Sequence, residues 1–423
     1  MRSLRSRLRA ALRPLLAAAG ILGFGVALSC DSAREDAANI SINKLDSIDF
    51  AAPPVKAPES KASAPPASPI ELRYLDWVVS HCHVDELMPS AYTHAWHRYP
   101  RPADLLGPDD PVPLRVGRIL PPEGSAAAKE QAAALKTAWL KSPRSHVIDC
   151  SLPIRTRRCP SCAVETVAHA HYVAYLPRAL FVAPKTVRSV LLLVPGGNGG
   201  RSRPFMRPIP GRSVYDKGSG GLDTKRLADA FYSANQGASQ AIVVALETSG
   251  LEVPSGSVEH LSHTMPGHIA ETFLPHLSER DLVVGAEGVS SGAREIFRAA
   301  FHAPARFHTI GLSCMACGGI HPKTSRLAAP SEIRAFADVL ADRRRKGSFD
   351  IRFAIGSRDG QLDCNKSFYD LFVEKGVFAN TDKDSFLIYD GEKHDFNFLR
   401  KSYAAQLEWH LAALHRIARR AKQ

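Results

Sequence analysis

Apolar residues come in two rhythms along this chain. Residues 187–194, 241–246, 282–286, 307–312, 351–355 and 386–389 are continuous apolar runs of strand length, the pattern of strands covered on both faces. Between them, 224–234, 268–277, 293–301, 331–345 and 401–420 space their apolar residues as helices do. Two earlier segments, 146–152 and 164–176, alternate in the manner of half-buried strands. Strands alternating with helices predict an α/β fold with a mainly parallel central sheet and helices on both faces. Ligands bind outside the carboxyl ends of the strands in such a sheet, so the residues that follow each run carry the chemistry.

The run at 282–286 leads into Gly288-Val289-Ser290-Ser291-Gly292, and a helical pattern starts at once. This is G-x-S-x-G in a strand–turn–helix context, with glycines where a sharp turn has no room for a Cβ. The turn lifts Ser290 clear of the sheet, and the N–H groups at the start of the helix can hold a developing oxyanion. Directly after the run at 187–194 comes Pro195-Gly196-Gly197-Asn198-Gly199-Gly200. It lacks the G-K-S/T of a phosphate-binding loop. Gly197 and Asn198 are the candidate second oxyanion donors, because bare glycine backbone lets N–H groups approach a substrate oxygen.

An isolated serine elbow is a common accident, and it gains meaning from an acid and a histidine later in the chain. The run at 351–355 ends in Gly356-Ser357-Arg358-Asp359-Gly360, and the last run ends in Asp390-Gly391-Glu392-Lys393-His394. A carboxylate that accepts from one imidazole nitrogen fixes the tautomer, and the other nitrogen can then take the serine proton. Asp359 and His394 are the candidates for those roles. Asp350, Asp363 and Asp390 compete for the first, though Asp350 precedes its strand and so lies at the wrong end of the sheet.

From about residue 164 to the end, the sequence resembles the α/β-hydrolase superfamily, and within it the esterase group of S-formylglutathione hydrolase, feruloyl esterases and enterochelin esterase. The matching pieces are Tyr175-Leu176-Pro177, the Gly-rich loop, Glu271-Thr272-Phe273-Leu274-Pro275-His276-Leu277, the elbow, Gly356-x-x-Asp359 and Gly391-x-x-His394-Asp395-Phe396. The resemblance implies Ser290 as nucleophile, Asp359 as acid, His394 as base and the N–H of Ser291 as an oxyanion donor. It implies a serine esterase without a cofactor, acting on a small-molecule or polymer-linked ester. Three departures stand out: Pro195 where the group commonly has His, Ala293 for a second glycine, and the acid Glu287 close before the turn. Two other readings stay open, a surface-tethered binding lipoprotein that kept the fold without turnover, and a hydrolase of amides or polyesters.

The N-terminal part is organised differently. Residues 1–29 carry five arginines and no acid, then a mostly apolar stretch too short to span a bilayer comfortably, as in a secretory signal. Cys30 after Ala27-Leu28-Ser29 resembles a bacterial lipobox, which predicts a lipid-anchored, exported protein; ordinary cleavage after a small-x-small sequence predicts simple secretion. Residues 51–69 are almost all Ala, Pro, Ser and Lys, so 30–70 reads as a tether. Residues 71–150 read as an extension of unknown fold with helices at 71–79 and 126–140, and 151–423 as the hydrolase domain. The formal charge of +12 falls to +7 without the signal. A surplus of that size favours anionic lipid or acidic polymer as a neighbour. No nucleic-acid motif accompanies it.

His81, Cys82, His83, Asp85, His94 and His97 form a loose donor cluster without the tight spacing of a zinc site. The pairs Cys159/Cys162 and Cys314/Cys317 would make a four-thiolate site only if distant segments met, so no metal is expected. Export permits disulfides, and Cys364 is placed to bridge to Cys314 or Cys317 at one sheet edge.

Overall fold

The computed structural model describes residues 73–84, 120–141, 143–157, 165–196, 222–246, 257–324, 327–379 and 382–421. Cys30, the signal and the tether lie outside them, as do Gly197, Asn198, Cys159, Cys162, Asp85, His94 and His97. All described residues belong to one compact unit. No helix among them is long and apolar enough to cross a membrane.

Among the described residues the strands form one nine-stranded sheet, in the order β1-β2-β3-β5-β4-β6-β7-β8-β9. Its strands are β1 (Cys82–Val84), β2 (His146–Arg157), β3 (Glu165–Leu176), β4 (Ser189–Val194), β5 (Ala241–Leu246), β6 (Val283–Val289), β7 (Thr309–Ser313), β8 (Asp350–Gly356) and β9 (Phe386–Tyr389). β1 to β3 pair antiparallel and β3 meets β5 antiparallel, whereas β4 to β9 are all parallel. Every residue of β4, β5 and β6 is buried, which is why these strands read as continuous apolar runs rather than alternating ones.

The sequence boundary at 150/151 falls inside β2 and is corrected accordingly. Residues 73–84 are not a separate extension: helix α1 (Arg73–His81) packs in the same core as the sheet, and β1 pairs with β2. The disulfide Cys82–Cys150 joins that strand pair. Helix α2 (Ala126–Lys141) also buries Leu135 and Trp139 there. His81 stacks on Trp77 at 4.8 Å, and its Nδ1 lies 3.0 Å from the Trp77 carbonyl oxygen.

The remaining helices are α3 (Thr224–Ala234), α4 (Ser257–Phe273), α5 (Ser291–His302), α6 (Pro330–Arg345), α7 (Leu362–Glu374) and α8 (Phe396–Arg420). α4 to α7 cover one face of the sheet; α3 and α8 cover the other. The expected helix at 268–277 instead ends at Phe273, since Pro275 restricts the residue before it, and it starts earlier despite Pro266. α7 was not anticipated, although Phe368, Leu371 and Phe372 recur at helical spacing and are buried. The last helix begins at Phe396 rather than 401, where the Asp395 side chain accepts from the N–H groups of Asn397 (2.9 Å) and Phe398 (3.2 Å).

α5, the helix after the serine, is anchored by Phe297, whose ring meets Phe368 at 4.8 Å and Phe336 at 5.6 Å from α7 and α6. Phe297 is 1% exposed, so Phe297→Ala opens a cavity among three helices. The expected cost is about 3–5 kcal/mol of unfolding free energy. Chemical denaturation of the purified variant checks it; a loss below about 1 kcal/mol contradicts the packing described.

Candidate active site

β6 ends at Val289 and α5 begins at Ser291, so Ser290 alone makes the turn, at φ 54° and ψ −118°. That is an unusual backbone for a non-glycine residue. Glycines make the turn possible: a Cβ at Gly288 would lie 2.4 Å from the Ala293 Cα, and one at Gly292 would lie 2.2 Å from the Val194 carbonyl oxygen. Three backbone hydrogen bonds hold it. The Ser290 N–H donates to Ser313 O (2.9 Å), and its carbonyl accepts from Arg294 (3.2 Å) and Ala316 (3.0 Å).

Ser290 Oγ is 2.7 Å from His394 Nε2, and His394 Nδ1 is 2.8 Å from Asp359 Oδ2. With the carboxylate ionised, the imidazole donates from Nδ1 and presents Nε2 to the serine hydroxyl. The Asp359 side chain is fully buried while that of His394 is 37% exposed, so the acid is sealed and the base faces the opening. The second carboxylate oxygen, Oδ1, accepts from the Gln361 N–H at 2.8 Å. The hydrogen bond to Asp359 raises the His394 pKa above its ordinary 6.5, partial burial opposing it and the Asp359 charge adding to it.

The acid and base turns are stitched together. Ser357 N–H donates to Tyr389 O (2.9 Å), Arg358 N–H to Glu392 O (2.9 Å) and Gly391 N–H to Ser357 Oγ (2.8 Å). A Cβ at Gly356 would lie 2.3 Å from Glu392 O, so the two turns touch through bare backbone. Of the competing carboxylates, Asp390 accepts from Ser357 Oγ at 3.2 Å, Asp363 lies exposed in the first turn of α7, and Asp350 opens β8.

The sheet order, with β4 and β5 exchanged relative to the sequence, an antiparallel β3 beside β5, and a strained serine at the β6–α5 turn, decides the fold. The chain has the α/β-hydrolase fold. Ser291, the residue after the serine, opens α5, so its N–H belongs to the helix N-terminus. The loop after β4 approaches the same place: a Cβ at Gly196 would lie 2.6 Å from the Ser290 Cβ.

The disulfide expected at this sheet edge lies beside Asp359, joined by Gln361, for which the sequence carries no signal. Cys317 bonds to Cys364, one of the two expected partners, and the Cys317 N–H donates to Gln361 Oε1 at 3.0 Å. Cys314 is the remaining thiol of that group, free, buried and at φ 40°. Burial first, and then the charge of Asp359, push that thiol above its ordinary range. Cys314, Asp359 and His394 bring ligand atoms within 4.8 Å of one another, and the last two are hydrogen-bonded to each other.

No family model matches the sequence, and no curated protein does. Solved structures do. A ferulic acid esterase is similar at 16% identity and TM-score 0.43, over 65% of this chain and 99% of that one. A feruloyl esterase module from Clostridium thermocellum is similar at 13% and 0.45, over 63% and 88%. An S-formylglutathione hydrolase from Agrobacterium tumefaciens is similar at 14% and 0.40, over 64% and 97%.

The hydrogen-bond assignment of the acid has a direct spectroscopic consequence. Asp359→Asn lowers the His394 pKa, because it removes the charge and the bond that raise it, whereas Asp363→Asn leaves it unchanged. Titration of the His394 imidazole by NMR reads both, and a fall in the Asp363 variant alone would put the acid on the wrong residue.

Proposed function

We propose that this protein is a serine hydrolase that cleaves a carboxylic ester through an acyl-enzyme. The hydrogen-bonded string Ser290–His394–Asp359, assembled from the ends of three parallel strands, carries the reading. His394 Nε2 takes the Ser290 proton as Oγ attacks the ester carbonyl, and Asp359 holds the imidazole in the required tautomer and stabilises the imidazolium. The Ser291 N–H, at the positive end of α5, and N–H groups of Gly197 and Asn198 receive the oxyanion. His394 then gives its proton to the leaving alkoxide. Water, deprotonated by the same imidazole, releases the acid and regenerates Ser290.

The neutral imidazole is the competent base, so turnover rises with pH through a His394 pKa above 6.5, and Asp359→Asn moves that limb down. Ser290→Ala abolishes hydrolysis of short p-nitrophenyl esters and labelling by a fluorophosphonate while leaving the fold intact. Asp359→Asn lowers kcat by about 10⁴ with little change in KM, by analogy with serine proteases. Asp363→Asn stays within about tenfold of the wild type, since its side chain is exposed on α7. Undiminished turnover in Ser290→Ala would refute the nucleophile, and labelling at Ser290 without ester turnover would point to amides or polyesters.

Export is part of the same proposal, supported by the arginine-rich, apolar start and by Cys30. A lipid-anchored Cys30 followed by a Pro/Ala tether would hold the hydrolase at a cell-envelope surface. Radiolabelled palmitate is then incorporated by the wild type, and Cys30→Ser is released as soluble protein. Equal labelling of both would leave simple secretion.

A further inference from the structure

The face of the sheet that packs on α8 contains polar groups that the hydrolytic mechanism does not use. Glu287 of β6 is 2% exposed, Ser313 of β7 is 2%, and Thr309 of β7 and His410 of α8 are 0%. Glu287 Oε1 accepts from the Ser313 hydroxyl at 2.6 Å, and Glu287 Oε2 is 3.0 Å from His410 Nε2. His410 Nδ1 is 2.9 Å from Thr309 Oγ1. With Glu287 ionised, Nε2 carries the proton donated to it. The group is a second carboxylate–imidazole–hydroxyl string, sealed from solvent.

Space for it is set aside by strand glycines. A Cβ at Gly311 would lie 1.7 Å from Glu287 Oε2 and 2.6 Å from His410 Nε2, and one at Gly285 would lie 2.4 Å from Thr309 Oγ1. A buried polar pair of this kind contributes little net stability compared with apolar residues of similar volume, so packing does not explain it. Its position does. β6 leads into Ser290, α8 starts two residues after His394, and Glu287–His410 is a polar bond between those two elements. Through Ser313 the string also reaches the carbonyl that accepts from the Ser290 N–H.

We infer that Glu287 and His410 are positioning residues, which fix α8 against β6 and β7 and thereby set the approach of His394 to Ser290. This role rests on the hydrolase reading above. It acts through geometry, to which a proton transfer between Oγ and Nε2 is steeply sensitive.

Replacing the pair by apolar residues, Glu287→Leu/His410→Leu, separates the role from stability. The expected variant is folded and melts no lower than the wild type, while kcat and the fluorophosphonate labelling rate of Ser290 fall together by about 10- to 100-fold and KM stays within about twofold. Glu287→Gln, which can still accept from Ser313 and donate to the other His410 tautomer, restores both rates to within about threefold of the wild type. A folded double variant with unchanged kcat, or with KM alone altered, overturns the inference, as does a Glu287→Gln protein as impaired as the double variant. Should the double variant fail to fold, Ser313→Ala removes a single hydroxyl from the string: kcat falls with KM unmoved, and an unmoved kcat is the overturning result. A wild type that neither labels at Ser290 nor hydrolyses esters overturns the functional reading itself, and this role with it.

Discussion

The turn at Ser290 places a side chain in the open at the end of a fully buried strand, and it does so with a backbone that non-glycine residues avoid. Such conformations cost about 1–3 kcal/mol. The three backbone hydrogen bonds of Ser290 contribute about 0.5–1.5 kcal/mol each, enough to offset that cost. Two of them come from outside the turn: Ser313 ends β7 and Ala316 follows it. The strained residue is therefore held by the neighbouring strand as much as by its own helix. The glycines at 288 and 292 serve the same end by letting α5 and the end of β4 close to contact distance.

Everything else in the site converges on that point from one edge of the sheet. β8 delivers Asp359 in a turn hydrogen-bonded to the turn that carries His394, so the two turns hold each other in place. The Cys317–Cys364 disulfide joins the loop after β7 to α7, and Gln361 bonds both to Cys317 and to Asp359. The loop that holds the Ser290 carbonyl is thus tied to the loop that holds the acid. On the other face, α8 runs from just after His394 back across β6 and β7, where His410 lies within hydrogen-bonding distance of Glu287 and Thr309. A rigid scaffold with several independent ties suits chemistry that tolerates little displacement.

Much of this was legible along the chain. The parallel strands announce themselves because both of their faces are buried, which removes polar residues from them and leaves unbroken apolar runs. G-x-S-x-G, Gly356-x-x-Asp359 and Gly391-x-x-His394 could be read because each follows its strand within a few residues, so local sequence fixes which end of the sheet they occupy. The choice of Asp359 over Asp350 followed from that alone. Its separation from Asp363 did not, since it depends on where the turn after β8 stops and α7 starts.

What the sequence by itself determined was the class of fold, the run of its parallel strands and the three side chains at one sheet edge, because those follow from short-range periodicity and turn chemistry. Tertiary structure alone decided the rest. β1 and the Cys82–Cys150 bridge join segments separated by 68 residues, and Glu287 meets His410 across 123. An acid in an apolar run, or a histidine on a helix otherwise rich in leucine and alanine, reads locally as an anomaly. Each becomes intelligible only when the fold brings a partner to hydrogen-bonding distance, since burying a polar group is costly until that partner arrives.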